Sequence, residues 1–129
     1  INIDLSKCIF VFSFNDPNKI NNILKDRIHL IKVDGFNNKE KIKIAKNFLI
    51  PKILDEFKLY DIKIKHDVIN YFVENYSNED GVRELKHILK KLISKINLIK
   101  FSNNKLMNYK VTLKFPLNIS LCLIKKLGF

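Results

Sequence analysis

The sequence contains 129 residues, enough for about one domain that buries a core of its own. Hydrophobic residues make up 47% and charged residues 29%, a balance that is typical of a globular protein and excludes a disordered chain. No apolar run approaches the roughly 20 residues of a membrane-spanning helix, so we expect no membrane partner.

The net charge of +11 is the first feature that suggests a partner, because basic proteins often bind nucleic acid. The lysines are spread along the whole chain, which limits this interpretation to weak electrostatic binding. Of the 24 lysines and arginines, only Arg27 and Arg83 are arginine. A guanidinium is a planar fork that holds phosphate or carboxylate in a bidentate way, which an ammonium does not do. Each arginine is therefore a candidate for a specific role.

The cysteines and histidines indicate neither a disulfide framework nor a metal site, because no CxxC pair or ligand spacing occurs. Cys8 and Cys122 have apolar neighbours, which favours free, buried thiols in a reducing compartment. The chain starts at Ile1 without the basic segment or cleavage site of a secretion signal. We expect a cytoplasmic protein of which this chain is a fragment.

Two predicted strands dominate the N-terminal part of the sequence. Residues 7–14 and 28–33 are apolar on both faces, which is typical of parallel strands in the middle of a covered sheet. A cluster of turn formers and a short helix at about 19–25 separate them. Two such strands do not complete a sheet. We therefore predict that residues 1–36 are the C-terminal part of a larger α/β domain and that residues 1–34 pack poorly on their own.

From residue 37 the apolar residues follow a helical period, which predicts a mainly α-helical domain over residues 37–129. A capping box of the Ser-x-x-acid type at residues 77–80 is expected to open a long helix. Short strands are predicted at residues 62–64 and 109–113, and a last helix at 117–127. Three predicted helices each have one apolar face, or stripe. The first stripe is Ile42, Ala45, Phe48, Leu49, Ile53 and Phe57, with a bend at Pro51. The second is Val68, Ile69, Phe72, Val73 and Tyr76, and the third is Val82, Leu85, Leu89, Leu92, Ile96 and Ile99.

Three polar residues at element boundaries are candidates for chemistry. Asn15 ends the first predicted strand, where open α/β sheets bind ligands, and its amide can contact a phosphate or a water; an Asx turn is the alternative. Arg27 begins the second strand, with an ion pair to Asp26 as the alternative. Arg83 lies in the first turn of the long helix, where anions are favoured, with a pair to His87 or to a carboxylate near Asp80 as the alternative.

Several stretches follow one another in a specific order, among them Leu49-Ile50-Pro51-Lys52 and Gly81-Val82-Arg83. Their order resembles the second half of the AAA+ ATPase module of Lon proteases. The resemblance covers nearly the whole chain and weakens after about Phe101. The family's Pro-x-Pro before the arginine at 27 is replaced here by Ile20-Asn21-Asn22. The stretches that carry the resemblance are Asp4-Leu5-Ser6-Lys7, Phe12-Ser13-Phe14-Asn15, Ile23-Leu24-Lys25-Asp26-Arg27, Glu40-Lys41 with Ile44-Ala45-Lys46, Phe48-Leu49-Ile50-Pro51-Lys52, and Tyr76 to Leu85 with its Gly81-Val82-Arg83.

The resemblance implies a role for each candidate residue. Asn15 would be the first sensor, between the γ-phosphate and the attacking water. Arg27 would be the arginine finger that reaches the neighbouring subunit's site, and Arg83 the second sensor. Val82 and Phe48 would line the adenine pocket. The implied cofactor is ATP or ADP with Mg²⁺, whose ligands lie outside this chain.

The resemblance also implies the function, which is the nucleotide-sensing half of a Lon-like ATP-dependent serine protease. Such a protein forms a homo-oligomeric, hexameric ring that couples ATP hydrolysis to the unfolding and degradation of protein substrates. This chain contains neither GxxxxGK[ST] nor GxSxG, so we expect it to be inactive alone. The alternatives are a AAA+ ATPase without a protease domain and a basic nucleic-acid-binding module. The residue bias is similar to that of Lon-like proteins of large DNA viruses.

Overall fold

The computed structural model describes residues 4–102 and 113–129. The chain divides into two units, Ile1–Val33 and Asp34–Phe129. Within the described ranges, none of the helices combines the length and the apolar character that crossing a bilayer requires.

The first unit has little regular structure. It contains a 3-10 turn at Pro17–Lys19 and one short helix, α1, at Asn22–Lys25. Asp16 and Asn21 cap them, because each side-chain oxygen accepts a hydrogen bond from the backbone N–H two residues ahead at 2.9 Å. Ile20 between them has an extended backbone, so the single helix that the sequence predicts here is split into two turns.

The segments predicted as strands, residues 7–14 and 28–33, do not form β-strands in the structure. A strand requires hydrogen bonds to a neighbouring strand, and local sequence does not provide them. Their apolar side chains are largely exposed, with Ile9 at 92%, Val11 at 89% and Val33 at 87%. The unit is therefore poorly packed, as the sequence predicts.

The second unit is a helical bundle with a small parallel sheet, which agrees with the predicted fold class. Strand β1, Ile62–Ile64, pairs with β2, Leu117–Ile119, with Ile62 opposite Leu117. The helices are α2 at Asn38–Ile44, α3 at Ile50–Glu56, α4 at His66–Tyr76, α5 at Arg83–Phe101 and α6 at Leu121–Lys126.

A π-helical stretch at Ala45–Leu49 joins α2 to α3. It ends two residues before Pro51, which has no N–H to donate to the preceding turn. The wider turn changes the regular step of the helix. Phe48 is 69% exposed as a result, and its predicted place on the buried stripe is wrong.

The core is formed by α3, α4, α5 and α6 with the two strands, and the stripes predicted on α4 and α5 are buried except for half-buried Tyr76 and Val82. Helix α5 begins later than expected, at Arg83, with Val82 as an N-cap that makes no side-chain hydrogen bond. The predicted capping box is wrong because Ser77 ends α4 and its hydroxyl is buried, with no hydrogen-bond partner among the described residues. The buried core residues of the two helices are Val68, Ile69, Phe72, Val73, Leu85, Leu89, Leu92, Ile93, Ile96 and Ile99.

The C-terminal segment differs from the prediction in one respect. Residues 117–119, predicted as the start of a helix, form β2 because Leu117 and Ile119 alternate with exposed Asn118 and point into the core. The strand predicted at residues 109–113 lies outside the described residues apart from its last position.

Both cysteines are free, as predicted, but they are exposed. Cys8 lies in the poorly packed first unit, and Cys122 lies on the outer side of α6. The prediction that both thiols are buried is therefore wrong, because apolar neighbours in sequence do not imply burial in either place.

Candidate functional site

Arg83 is exposed at the first position of α5, the longest helix that the structure describes. It lines an open pocket of about 380 Å³ together with Tyr76, Glu84, His87 and Ile88. The first N–H groups of a helix have no partner within the helix, and the helix dipole adds partial positive charge there. A guanidinium at this position extends that positive region, so the arrangement suits an anionic group beside apolar walls.

Tyr76 forms the aromatic wall of this pocket. Its ring contacts those of Tyr71 and Phe72, with centroids 6.1 Å and 5.7 Å away. Burial against these rings raises the pKa of the Tyr76 phenol, and Tyr71 adds to the effect. The Tyr76 wall is uncharged at physiological pH, as a tyrosine with an ordinary pKa also is, and the carboxylate that lines the pocket is that of Glu84.

A short turn, residues 77–82, connects α4 to Arg83. Hydrogen bonds to neighbouring residues hold it in place. The Oε1 atom of Glu79 accepts from the backbone N–H of Glu84 at 2.7 Å, which caps the start of α5. The carbonyl oxygen of Asp80 accepts from the backbone N–H of Phe36 at 2.8 Å. Gly35 lies equally close to this turn, because a Cβ atom on it would stand 2.5 Å from the Cβ of Asp80.

Lys41 holds the same turn from α2, and sequence reasoning missed this role. The side chain is only 4% exposed, and its Nζ atom donates to the carbonyl oxygens of Ser77 at 3.0 Å and Glu79 at 2.5 Å. The signal in the sequence was its spacing: Lys41 lies one helical turn before buried Ala45, so it falls on the core face of α2.

Neither of the two residues predicted to line the adenine pocket lines the pocket next to Arg83. Val82 is half-buried at the N-cap of α5 and does not line the pocket of Tyr76 and Ile88. Phe48 is exposed on the π-helical stretch. Among the described residues, the structure brings His87, Tyr76 and Ile88 to Arg83.

Asn15 and Arg27 both lie in the first unit, and both are exposed. Asn15 occupies a bend just before the 3-10 turn, where the capping side chain is that of Asp16. Arg27 follows α1, and its backbone N–H donates to the carbonyl oxygen of Leu24 at 3.0 Å. Its side chain lines an open, mostly apolar cleft of about 700 Å³ bordered by Phe10, Phe12, Phe14 and residues 28–31.

No metal centre is formed by the described residues, since they contain no group of three or more His, Cys, Asp or Glu side chains placed to hold an ion. Lys90 and Glu56 form an ion pair on the surface, 2.5 Å apart, with both side chains about half exposed.

Comparison with known proteins gives a consistent set of relatives. The chain is 41% identical to a Lon protease homolog of Acanthamoeba polyphaga mimivirus over 103 residues, which are 78% of this chain and 10% of that protein. It is 45% identical to Lon protease 2 of Borreliella burgdorferi over 72% of this chain and 12% of that protein. It is 32% identical to the Lon protease of Chlamydia pneumoniae over 88% of this chain and 14% of that protein.

These relatives are much longer than the chain, which spans about a tenth of their length. No protein-family model matches the chain. The likeness therefore concerns one segment of the relatives.

Proposed function

From the premise that this chain is a Lon-like segment, we propose that it is the nucleotide-sensing half of the AAA+ ATPase module of an ATP-dependent protease. In this proposal the second unit is the helical lid, and the first unit is the end of the α/β part. The whole protein forms a homo-oligomeric, hexameric ring in the cytoplasm and acts on unfolded protein substrates.

The observation that carries the proposal is the position of Arg83. It stands at the N-terminus of a 19-residue helix, beside a pocket with an aromatic wall. Phosphoryl transfer is catalysed mainly by positioning and by stabilising developing negative charge. An arginine at a helix N-terminus is suited to contact the γ-phosphate of ATP. Val82 and Phe48 remain proposed contacts of the adenine base.

Arg27 and Asn15 complete the proposed machinery from the first unit. Exposed Arg27 is the proposed arginine finger, which acts on ATP bound to the neighbouring subunit of the ring. In related phosphoryl-transfer systems such an arginine contributes about 10³–10⁵ in rate. Asn15 is the proposed first sensor, since a side-chain amide can hold the attacking water and contact the γ-phosphate at once.

ATP and Mg²⁺ are held largely by parts of the protein outside this chain. The sequence contains no GxxxxGK[ST] loop to enclose the phosphates. We therefore propose that the chain alone does not hydrolyse ATP. Loss of the γ-phosphate would remove the contact with Arg83 and release the lid, which would transmit hydrolysis to the rest of the ring.

The proposal is tested by ATPase measurements on the parent protein, with variant subunits mixed into wild-type rings. Arg27→Ala should lower hydrolysis by neighbouring wild-type subunits, so that activity falls faster than the variant fraction rises. Arg83→Ala should affect only its own subunit. Lys43→Ala, at an exposed position of α2, is the matched control and should leave activity unchanged. Normal hydrolysis in rings of either arginine variant would contradict the proposal.

A further inference from the structure

Lys41 is the one charged side chain that is buried within the described part of the chain, at 4% exposure. Burying an ammonium costs free energy unless its N–H groups are satisfied by hydrogen bonds. A methionine or leucine would fill the same space without this cost. The lysine therefore requires an explanation that packing alone does not give.

The ammonium of Lys41 meets the end of one helix. Ser77 is the C-cap of α4, and its carbonyl oxygen accepts from Nζ at 3.0 Å. Carbonyl groups at a helix C-terminus lack partners within the helix and carry partial negative charge. A second bond, to the carbonyl oxygen of Glu79 at 2.5 Å, extends the contact into the turn that follows.

The turn that Lys41 holds leads directly to Arg83. Glu79 receives the Lys41 bond on its carbonyl oxygen and, through its carboxylate, accepts from the backbone N–H of Glu84 at 2.7 Å. The same residue therefore connects the buried ammonium to the first turn of α5. Movement of Glu79 would move the N–H groups and the guanidinium at the start of that helix together.

We propose that Lys41 is a positioning residue, whose ammonium fixes the turn of residues 77–82 and so sets where Arg83 meets nucleotide. This inference rests on the function proposed above for Arg83. Lys41 itself contacts the backbone of the turn and acts only through Arg83 and the start of α5.

The test uses ATPase titrations of six forms of the full-length parent protein: wild type, Arg83→Ala, and each of two lysine variants in both backgrounds. Lys41→Met keeps a similar side-chain length but removes every donor. It is measured in the wild-type and in the Arg83→Ala background. Lys43→Met is the control in both backgrounds, because Lys43 is an exposed lysine of the same helix. In the wild-type background, Lys41→Met removes both hydrogen bonds to the turn and should raise KM for ATP roughly fivefold, which corresponds to about 1 kcal/mol. In the Arg83→Ala background, Lys41→Met should not raise KM further. Lys43→Met should leave KM unchanged in both backgrounds.

A second readout separates positioning from a general loss of stability. Amide hydrogen exchange over residues 77–84 should be faster in Lys41→Met than in Lys43→Met, while exchange in the middle of α5 stays unchanged. If Lys41→Met does not fold, Lys41→Gln replaces it, because its amide keeps N–H donors. This variant should raise KM less, and again only when Arg83 is present.

Three results would overturn the inference: an unchanged KM in a folded Lys41 variant, an equal increase with and without Arg83, or unchanged exchange over residues 77–84. These results differ from the result expected if the proposed function of Arg83 is itself wrong. In that case Arg83→Ala by itself leaves KM and kcat at wild-type values, and both proposals fall.

Discussion

Gly35 lies so close to Asp80 that a Cβ atom on the glycine would stand 2.5 Å from the Cβ of Asp80 and 2.9 Å from its carbonyl oxygen. Real Cβ atoms do not approach backbone and side chain this closely, so one of the two segments must shift. We expect Gly35→Ala to lower the free energy of unfolding by about 1–3 kcal/mol. Gly81→Ala is the matched control, because its Cβ would meet only Glu79, at 3.6 Å. Denaturant unfolding of both variants checks the prediction, which equal stabilities would contradict.

Phe72 and Phe48 form a matched pair of aromatic truncations. Phe72 is 0% exposed and packs edge-on against Tyr76 and Phe129, whereas Phe48 is 69% exposed. Phe72→Ala should lower the free energy of unfolding by about 3–5 kcal/mol because it leaves a cavity in the core. Phe48→Ala should change it by less than about 0.5 kcal/mol. A rise in KM for ATP in a stable Phe48→Ala ring would support its proposed contact with adenine, and an unchanged KM would remove it.

The Glu56–Lys90 pair gives a dependence on pH with a defined sign. The hydrogen bond from Lys90 lowers the pKa of the Glu56 carboxyl, and the positive charges of Lys90, Lys86 and Lys52 add to this. A carboxyl whose pKa is lowered by folding stabilises the protein above its ordinary pKa, and the contribution is lost as the pH falls through the lowered value.

Glu56→Gln should therefore be slightly less stable than the parent at neutral pH and equal to it well below pH ~4. Thermal unfolding across this range measures the difference. The pair is half exposed, so the effect should also shrink in high salt. A difference that persisted unchanged at low pH would show that the hydrogen bond does not distinguish the two forms of the carboxyl.

The exposure of Cys8 and Cys122 predicts reactivity in the native protein. Both thiols should react with a thiol-specific reagent without denaturant, because access to solvent controls such reactions together with thiolate content. The single variants Cys8→Ser and Cys122→Ser assign each reaction. If one thiol became reactive only in denaturant, that cysteine would be buried after all.

The sequence predicts the helical unit well because an amphipathic period is local information. The stripes of α4 and α5 follow from spacing alone, and burial of Phe72 and Leu85 confirms them. The strands at residues 7–14 and 28–33 depend on partners, which a local pattern cannot supply. The end of the chain shows a third case, because a short apolar run such as residues 117–119 suits a helix or a strand equally.

For the candidate site, the sequence predicts the position of Arg83 near a helix start but not its surroundings. The structure adds Tyr76 as a wall of the pocket. It also places His87 one helical turn from Arg83, a position that follows from the spacing of four residues. Of the two residues whose carbonyl oxygens Lys41 contacts, Ser77 is the nearer in sequence and lies 36 residues after it. A contact over that separation leaves no local pattern, apart from the lysine's place on the apolar face of α2.

The π-helical stretch at Ala45–Leu49 has a consequence for the direction in which side chains point. Lys41 and Ile53 are 12 residues apart, and at ~100° per residue a regular α-helix would turn them roughly 120° away from each other. Both are buried, at 4% and 1% exposure. The wider turn absorbs one residue, so only about 11 α-helical steps separate them and they point within ~20° of the same direction. A chain one residue shorter at this point would bury the same two faces with a continuous α-helix, so a length difference of one residue here leaves the core in register.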